Sequence, residues 1–191
     1  MIRYHLPLSV QIFRRVFRPT FRLIFHLLSE VRISGQENIP SKGGYLIAIN
    51  HVSLFDPPFV IAFWPAAPEA VGAVDIWSRR GQATLARFYG GIPVKRGHYD
   101  RVLIDRVVAA LEEGRPVLIA PEGRRSHQPG MNRALPGVSY LADIARVPVL
   151  PVGIVGCTDD FLKTGIRGRR PVIEMHIGHP IKLPPIAGKG S

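Results

Sequence analysis

The sequence is poor in cysteine and in acidic residues, and each shortage narrows what the chain can be. Cys157 is the one cysteine among 191 residues, so no disulfide can form within the chain and a reducing compartment fits. There are 14 acidic residues against 25 lysines and arginines, which leaves a formal charge of +11. This charge indicates an anionic partner: nucleic acid, a membrane surface or a phosphorylated substrate.

The N-terminal region lacks the uninterrupted apolar run of about 18 residues that a membrane-spanning helix needs, because four arginines divide it (Arg14, Arg15, Arg18 and Arg22). Its apolar residues recur at steps of three and four, which predicts an amphipathic helix: Phe13, Val16, Phe17, Phe21, Ile24 and Leu28. Pro19 is expected to kink or split that helix. The pattern is typical of a helix lying in the bilayer interface with its arginines against anionic lipid. The alternative is a helix packed on the domain's own core.

Short apolar strands alternate with helices along the rest of the chain. Strands are predicted at residues 31–34, 45–49, 92–94, 117–120, 147–155 and 172–177, and helices at 57–64, 79–89, 100–113 and 137–145. This alternation predicts a single-domain α/β fold with a mixed, largely buried sheet flanked by helices. We divide the chain into an amphipathic membrane-interface segment (1–30), a domain (31–183) and a loose tail (184–191).

His51 and Asp56 are the first candidates for chemistry, because a histidine oriented by a carboxylate can abstract a proton near neutral pH. Five residues along one straight helix would leave the two side chains roughly 140° apart. They can pair if His51 lies in a loop after a strand and Asp56 caps the next helix, with Pro57 at its first position. The alternative is an ordinary capping aspartate next to a loop histidine.

Other catalytic arrangements have less support in the sequence. Ser53 has no nucleophile elbow around it, and Cys157 is better explained as a small buried thiol. The remaining histidines are scattered rather than set at ligand spacing, so no metal site is predicted.

Three further segments carry charge or proline directly after or within predicted strands. In residues 90–97 two glycines precede Lys95 and Arg96, which can grip a phosphate or form a solvated charge pair. Residues 121–126 suit a polar substrate with hydroxyls and phosphate, or form a surface turn; they include Glu122, Gly123, Arg124, Arg125 and Ser126. In residues 147–153, Pro148 and Pro151 have no N–H to donate, which disfavours a central position in the sheet for their nitrogens. This apolar run either lines an apolar channel or is simply part of the core.

In this order the four segments closely resemble the four blocks of the glycerolipid acyltransferase family, typified by 1-acyl-glycerol-3-phosphate acyltransferase. The Asn-His-x-x-x-x-Asp block of the family matches His51 and Asp56. Its glycine-then-arginine block matches residues 91–96, its Phe-Pro-Glu-Gly-Thr-Arg-Ser block matches 120–126, and its Val-Pro-x-x-Pro-Val block matches 147–152. The resemblance covers about residues 33 to 180.

The resemblance implies a direct acyl transfer without a metal, another cofactor or an acyl-enzyme. His51 would deprotonate the acceptor hydroxyl, which attacks the thioester of an acyl carrier protein or coenzyme A donor. Arg96 and Glu122 would bind the phosphate and glycerol of a lysophospholipid, most simply 1-acyl-sn-glycerol-3-phosphate. Pro148 and Pro151 would lie on the acyl side. The expected location is the cytoplasmic side of the cell membrane, as a peripheral or monotopic protein on the phospholipid surface.

The sequence departs from the family pattern on the acceptor side. Arg124 replaces the threonine of the third block and Ala120 its phenylalanine, while Leu135 and Pro136 stand where a basic residue is expected before Gly137. Another lysophospholipid or a lipid amine is therefore an alternative acceptor. A non-enzymatic basic protein on membrane or nucleic acid is a second alternative. The sequence lacks the stacking aromatics of a nucleic-acid groove and the spacing of a helix-turn-helix or zinc finger. No nucleic-acid partner is therefore predicted.

Overall fold

The computed structural model describes residues 4–126 and 132–184, and within them seven strands form one sheet. The strands are β1 (Glu30–Ser34), β2 (Leu46–Ile49), β3 (Glu69–Ala73), β4 (Ile92–Val94), β5 (Val117–Ile119), β6 (Val149–Val155) and β7 (Val172–Ile177). Their spatial order is β1-β7-β6-β2-β5-β3-β4. Neighbours run parallel except β6 and β7, which are antiparallel. The predicted mixed sheet is confirmed.

Helices cover both faces of this sheet. They are α1 (Leu8–Leu28), α2 (Asp56–Phe63), α3 (Gln82–Tyr89), α4 (Arg101–Glu112), α5 (Gly137–Ala145) and α6 (Phe161–Ile166), with short 3-10 helices at Gln36–Asn38 and Val74–Ser78. On one face α1 packs against α2, α3 and α6, and on the other α4 packs against α5. The predicted flanking by helices is confirmed.

The sheet is buried because consecutive strand residues supply two separate cores. In β2, Leu46 packs in one core with Leu111 and Leu141. The next residue, Ile47, packs in the other core with Phe25 and Phe59. Alternate side chains of a strand point to opposite faces, so a continuous apolar run such as residues 45–49 fits a strand covered on both sides.

Several boundaries differ from the predicted ones. β3 and α6 were not predicted, and α1 begins at Leu8. Pro19 lies inside α1 without splitting it. Pro19 and Arg15 are both exposed, so water can bond the Arg15 carbonyl that lacks an N–H partner. The predicted tail lies outside the described residues except for Pro184.

The apolar face of α1 belongs to the core. Phe17 is buried and Phe25 is completely inaccessible, while Phe13, Phe21 and Ile24 pack against the same cluster. For these residues the interpretation that the face enters a bilayer is therefore wrong, and packing on the domain's own core is correct; Val16, which was assigned to the same face, is 60% exposed. The periodicity identified the face but could not distinguish the two apolar surroundings.

Three of the four arginines of α1 bind other parts of the protein, and exposed Arg15 is the exception. Arg14 is 3% exposed and pairs with Glu69 at 2.6 Å. Arg18 donates to the carbonyls of Ile61, at 3.1 Å, and of Trp64, and Arg22 donates to that of Ala62 at 2.8 Å. These carbonyls lie at the C-terminal end of α2, where a helix has unsatisfied acceptors and a negative dipole end. Arg14, Arg18 and Arg22, which form an arginine stripe along α1, therefore hold this helix against the rest of the domain.

Candidate active site

The end of β2 carries the segment that begins with Asn50 and His51. The Asn50 amide is held on β6 in both directions: its Nδ2 donates to the Ile154 carbonyl at 2.9 Å, and its Oδ1 accepts from the Ile154 N–H at 2.6 Å. These two hydrogen bonds extend the pairing of β2 with β6 beyond the end of β2. It fixes where the backbone leaves the strand and therefore where His51 begins the loop.

His51 and Asp56 lie within hydrogen-bonding distance. Nδ1 of His51 is 3.1 Å from Oδ2 of Asp56, and the carboxylate is fully buried while the imidazole side chain is 18% exposed. His51 lies outside any helix and Asp56 is the first residue of α2. The predicted loop-and-helix geometry is therefore confirmed. Because Nδ1 is engaged, Nε2 is the ring nitrogen left for proton transfer.

Asp56 does not cap α2 in the predicted manner. The capping position belongs to Phe55, and no side-chain cap is present. Instead, Oδ2 of Asp56 accepts from the backbone N–H groups of Val52 and Ser53, each at 2.7 Å. The carboxylate points back into the preceding loop, where these donors and His51 share one oxygen. This arrangement holds the loop and the imidazole together.

The segment 121–126 is bonded to the backbone of His51 from two sides. Glu122 is 4% exposed, and its Oε1 accepts from the His51 N–H at 3.2 Å. Its Oε2 accepts from the Asn132 N–H at 2.7 Å. The Ser126 N–H donates to the His51 carbonyl at 2.7 Å. Both oxygens of Glu122 thus accept backbone bonds, which favours a positioning role over direct binding of glycerol.

Gly123 has a backbone conformation and a neighbour that together require glycine. Its φ is +67°, in the left-handed region, and a Cβ there would lie 2.6 Å from Cδ1 of Leu135. A side chain would strain the turn and displace the side chain of Leu135. Gly123 therefore shapes the surroundings of the neighbouring arginines.

Arginines line a cavity of about 710 Å³ that also includes Glu122, the carboxylate bonded to the His51 backbone. Arg96, Arg124 and Arg133 line it together with Glu122, whose carboxylate is buried. Arg96 also reaches Oδ2 of Asp75 at 3.5 Å. A cluster of guanidiniums with one buried carboxylate among them is suited to an anion.

Arg96 also lines a second, larger cavity of about 1280 Å³, which His51 and the exposed Lys95 share. Ser126 and Arg125 border this cavity as well. Much of its wall is apolar, including Phe17, Ile61, Val71, Trp77, Leu85 and Leu118. A long apolar chain and a polar group could therefore meet next to the imidazole.

Pro151 lies in β6 and Pro148 immediately precedes that strand, and neither proline lines these two cavities. Pro151 is paired with Ala48 of β2, and β6 is an interior strand. Both proline carbonyls accept backbone hydrogen bonds, from the N–H groups of Leu46 at 3.0 Å and Gly178 at 2.9 Å. Pro151 therefore lies in a central strand, against the expectation, and the acyl-side role of both prolines stays a prediction.

Cys157 is buried next to the dyad and is not an activated nucleophile. Burial, and then the negative charge of Asp56, raise the pKa of its thiol, so it stays protonated at neutral pH. This confirms the interpretation of a small buried thiol.

Two acidic residues contact predicted site arginines without having been predicted. Asp75, in the 3-10 helix Val74–Ser78, pairs with Arg96. Asp159, after β6, pairs with Arg125. Asp159 follows a predicted strand as the other site residues do, and that position was the one available signal for it. Asp75 had none, because β3 was not predicted.

Comparison with protein families identifies the class of this protein. Residues 30–155 match the family model described as Acyltransferase, and this range holds the dyad, the arginine segments and the strands that carry them. The chain belongs to the Acyltransferase family.

A solved structure has a similar fold. It is the 1-acyl-sn-glycerophosphate (LPA) acyltransferase PlsC from Thermotoga maritima, with a TM-score of 0.65 and 23% sequence identity. The match covers 95% of this chain and 71% of that one. At this identity the likeness supports the fold, and the acceptor of this chain requires its own argument.

Proposed function

We propose that this acyltransferase moves a fatty acyl group from an acyl carrier protein or coenzyme A thioester to the free hydroxyl of a lysophospholipid. The acceptor that fits best is 1-acyl-sn-glycerol-3-phosphate, which would give phosphatidic acid. The observation that carries the proposal is the His51–Asp56 pair on the wall of a large cavity, next to a smaller cavity lined by arginines.

In the proposed step Nε2 of His51 takes the proton of the acceptor hydroxyl while that oxygen attacks the thioester carbonyl carbon. The new C–O bond forms, the C–S bond breaks, and the departing thiolate takes the proton from the imidazolium. Asp56 would stabilise the transient positive charge and hold the ring with Nδ1 protonated. The two substrates supply every group that is transferred.

The two cavities suit the two ends of a lysophospholipid. The phosphate would bind among Arg96, Arg124 and Arg133, while the acyl chains would lie along the apolar wall of the larger cavity. Arg96 lines both, which supports a role at the junction of head group and chain. The additional Arg124 also supports the alternative of a different anionic head group.

A panel of lysolipids tests the acceptor. Purified protein is incubated with each lysolipid and with acyl carrier protein or coenzyme A thioesters, and the products are identified by mass spectrometry. We expect phosphatidic acid from the lysophosphatidate, with lower yields from zwitterionic lysolipids. Product from a lyso-amine lipid but not from lysophosphatidate would replace the proposed acceptor.

Arg96→Ala is the matched variant for this panel. Loss of a charge-assisted contact to phosphate should raise the acceptor KM about tenfold or more, with the donor KM nearly unchanged. An unchanged acceptor KM would remove Arg96 from the phosphate site.

We also propose peripheral association with the phospholipid surface through the outer face of α1. The described residues contain no helix that is both long and apolar enough to cross a membrane. The outer face has five exposed apolar side chains: Leu8, Ile12, Val16, Leu23 and Leu27. At 100° per residue they fall within an arc of roughly 100°, opposite the buried phenylalanines, and exposed Arg15 lies at its edge.

Substitution tests this face better than deletion of residues 1–30, because Phe17 and Phe25 belong to the core. The triple variant Leu8→Gln, Ile12→Gln, Val16→Gln should bind anionic vesicles at least about tenfold more weakly, because it removes apolar area from the interface. Val102→Gln, an exposed apolar site on α4 across the sheet, is the control and should bind normally. Equal binding by all three proteins in co-sedimentation would remove the outer face of α1 from the proposal.

A further inference from the structure

Asp159 lies in the loop between β6 and α6, outside the segments that suggested the site. Its carboxylate contacts two different parts of that site. Oδ1 accepts from the Leu54 N–H at 2.7 Å, and Oδ2 accepts from Nη1 of Arg125. Leu54 lies between His51 and Asp56, and Arg125 belongs to segment 121–126. One side chain thus joins the histidine loop to the segment that borders it.

The contact matters because Asp159 is one of several side chains that bind the N–H groups of the histidine loop, residues 51–55. From residue 51 to residue 55, each of the five consecutive N–H groups donates to a side chain. The acceptors in order are Glu122, Asp56, Asp56, Asp159 and the Ser53 hydroxyl. On the carbonyl side of the loop, the Ser126 N–H donates to His51 at 2.7 Å and the Asp56 N–H donates to Ser53 at 3.3 Å. Side-chain acceptors therefore hold every N–H group of the loop, and among the described residues the two that come from other parts of the chain are Glu122 and Asp159.

Asp159 is suited to act as a charged anchor. Burial alone would raise its pKa, but the Leu54 N–H and the Arg125 guanidinium lower the pKa below its ordinary value. Its side chain is about half exposed while that of Arg125 is 21% exposed. The pair therefore sits at the edge of the site, where substitution of the aspartate leaves both cores untouched.

We infer that Asp159 is a positioning residue for His51, and that Arg125 acts through Asp159 rather than on the acceptor. This inference rests on the proposed acyl transfer and deepens it. By holding the Leu54 N–H, Asp159 fixes the middle of the loop between the two members of the dyad. By holding Arg125, it keeps segment 121–126 against the same loop, where Glu122 and Ser126 bind the His51 backbone.

The test compares two substitutions that remove different parts of the contact. Asp159→Asn keeps an oxygen that can accept from the Leu54 N–H but loses the negative charge that pairs with Arg125. Asp159→Ala loses both the acceptor and the charge. Misplacement of a catalytic group by about 1 Å can cost 100-fold in rate, so we expect kcat to fall about tenfold in the first and about 100-fold in the second. The KM values of both substrates should stay within about twofold of wild type, because the head-group cavity is not touched.

Asp160→Asn is the matched control. Asp160 is adjacent in sequence and, among the described residues, its carboxylate accepts from the Thr158 hydroxyl at 2.7 Å. It should retain the wild-type kcat. Circular dichroism and thermal melts of each variant separate a loss of fold from a loss of position, and Asp159→Asn, which is isosteric and half exposed, should melt like wild type.

A double-mutant cycle on kcat with Arg125→Gln distinguishes positioning from acceptor binding. If Arg125 acts through Asp159, Arg125→Gln lowers kcat to a similar extent, and the double variant with Asp159→Asn is little worse than either single variant. The inference is overturned if Asp159→Ala keeps kcat within about twofold, if the single effects multiply, or if Arg125→Gln raises only the acceptor KM. Wild type that acylates no lysolipid would overturn the proposed function and this inference together, whereas active wild type with unaffected variants overturns the inference alone.

Discussion

His51→Ala is expected to lower kcat for acyl transfer by about 1000-fold or more, since a positioned general base contributes roughly 100- to 10,000-fold. The imidazole is the group on the wall of the large cavity whose Nδ1 is already bound to a buried carboxylate. Removing it leaves no oriented base for the acceptor hydroxyl. Steady-state rates with a saturating acyl donor measure the effect.

Two further variants make this result specific. Asp56→Asn should lower kcat almost as much, because an amide cannot stabilise the imidazolium and the ring would lose its preferred tautomer. His176→Ala removes an exposed histidine of β7 that bonds Ser34 and Glu174, and it should leave the rate unchanged. More than about a tenth of wild-type activity in His51→Ala would exclude this residue as the base, even though the chain would still be an acyltransferase by family.

The position of the site could be predicted from the sequence because of how parallel strands are arranged. β2 and β5 are neighbours in register, with Leu46 opposite Val117. The segments that follow their C-terminal ends, with His51 and Glu122, must therefore meet at one edge of the sheet. Helix geometry and the proline after Asp56, not the strand arrangement, placed His51 in the loop and Asp56 at the start of the helix, which is the geometry observed.

The role of α1 could not be predicted because periodicity identifies a face and not what covers it. Phe17 and Phe25 would look the same against lipid or against α2. The arginine stripe is explained by partners that the sequence does not display, namely carbonyl groups such as that of Ala62, and Glu69 of an unpredicted strand. Backbone acceptors leave no signature in the residues that carry them.

The same limit applies to the carboxylates of the site. Glu122 stood out as a ligand for a substrate hydroxyl, yet its oxygens accept backbone N–H groups of His51 and Asn132. A buried carboxylate that organises backbone and one that binds a substrate look alike in sequence. Only the distances distinguish them, and here they favour organisation.

Arg14→Met should reduce the free energy of unfolding by about 3–5 kcal/mol, which is the cost of removing one partner from a buried ion pair. Glu69 is fully buried and accepts from Arg14 through two bonds of 2.8 and 2.6 Å. Arg115 and Tyr4 donate to it at 2.8 and 2.6 Å. Arg14 also donates to the Tyr89 carbonyl at 2.9 Å and lies over that ring. Methionine keeps the apolar stem and loses every one of these bonds.

Arg15→Met is the control, because Arg15 is the adjacent residue of the same helix and is exposed. It should change the stability by less than about 0.5 kcal/mol. Urea unfolding of both variants and wild type at neutral pH gives the comparison. If both variants lose the same free energy of unfolding, the contacts of Arg14 contribute no more to stability than those of an exposed arginine on the same helix.

The pH dependence of this loss gives the sharper test of the ion pair. Burial acts to raise the pKa of Glu69, but hydrogen bonds and charge from Arg14, with Tyr4 and Arg115, lower it below the ordinary value. A depressed carboxyl pKa contributes stability that is present above the unfolded-state pKa of about 4.3 and is lost as the pH falls through the lower folded-state pKa. Arg14→Met removes the largest of the interactions that lower the pKa. The stability gap between wild type and this variant should therefore be widest near neutral pH and should narrow below about pH 4. A gap that stays constant down to pH 3 would mean that the loss comes from the other contacts of Arg14, such as its hydrogen bond to the Tyr89 carbonyl, and not from its charge on Glu69.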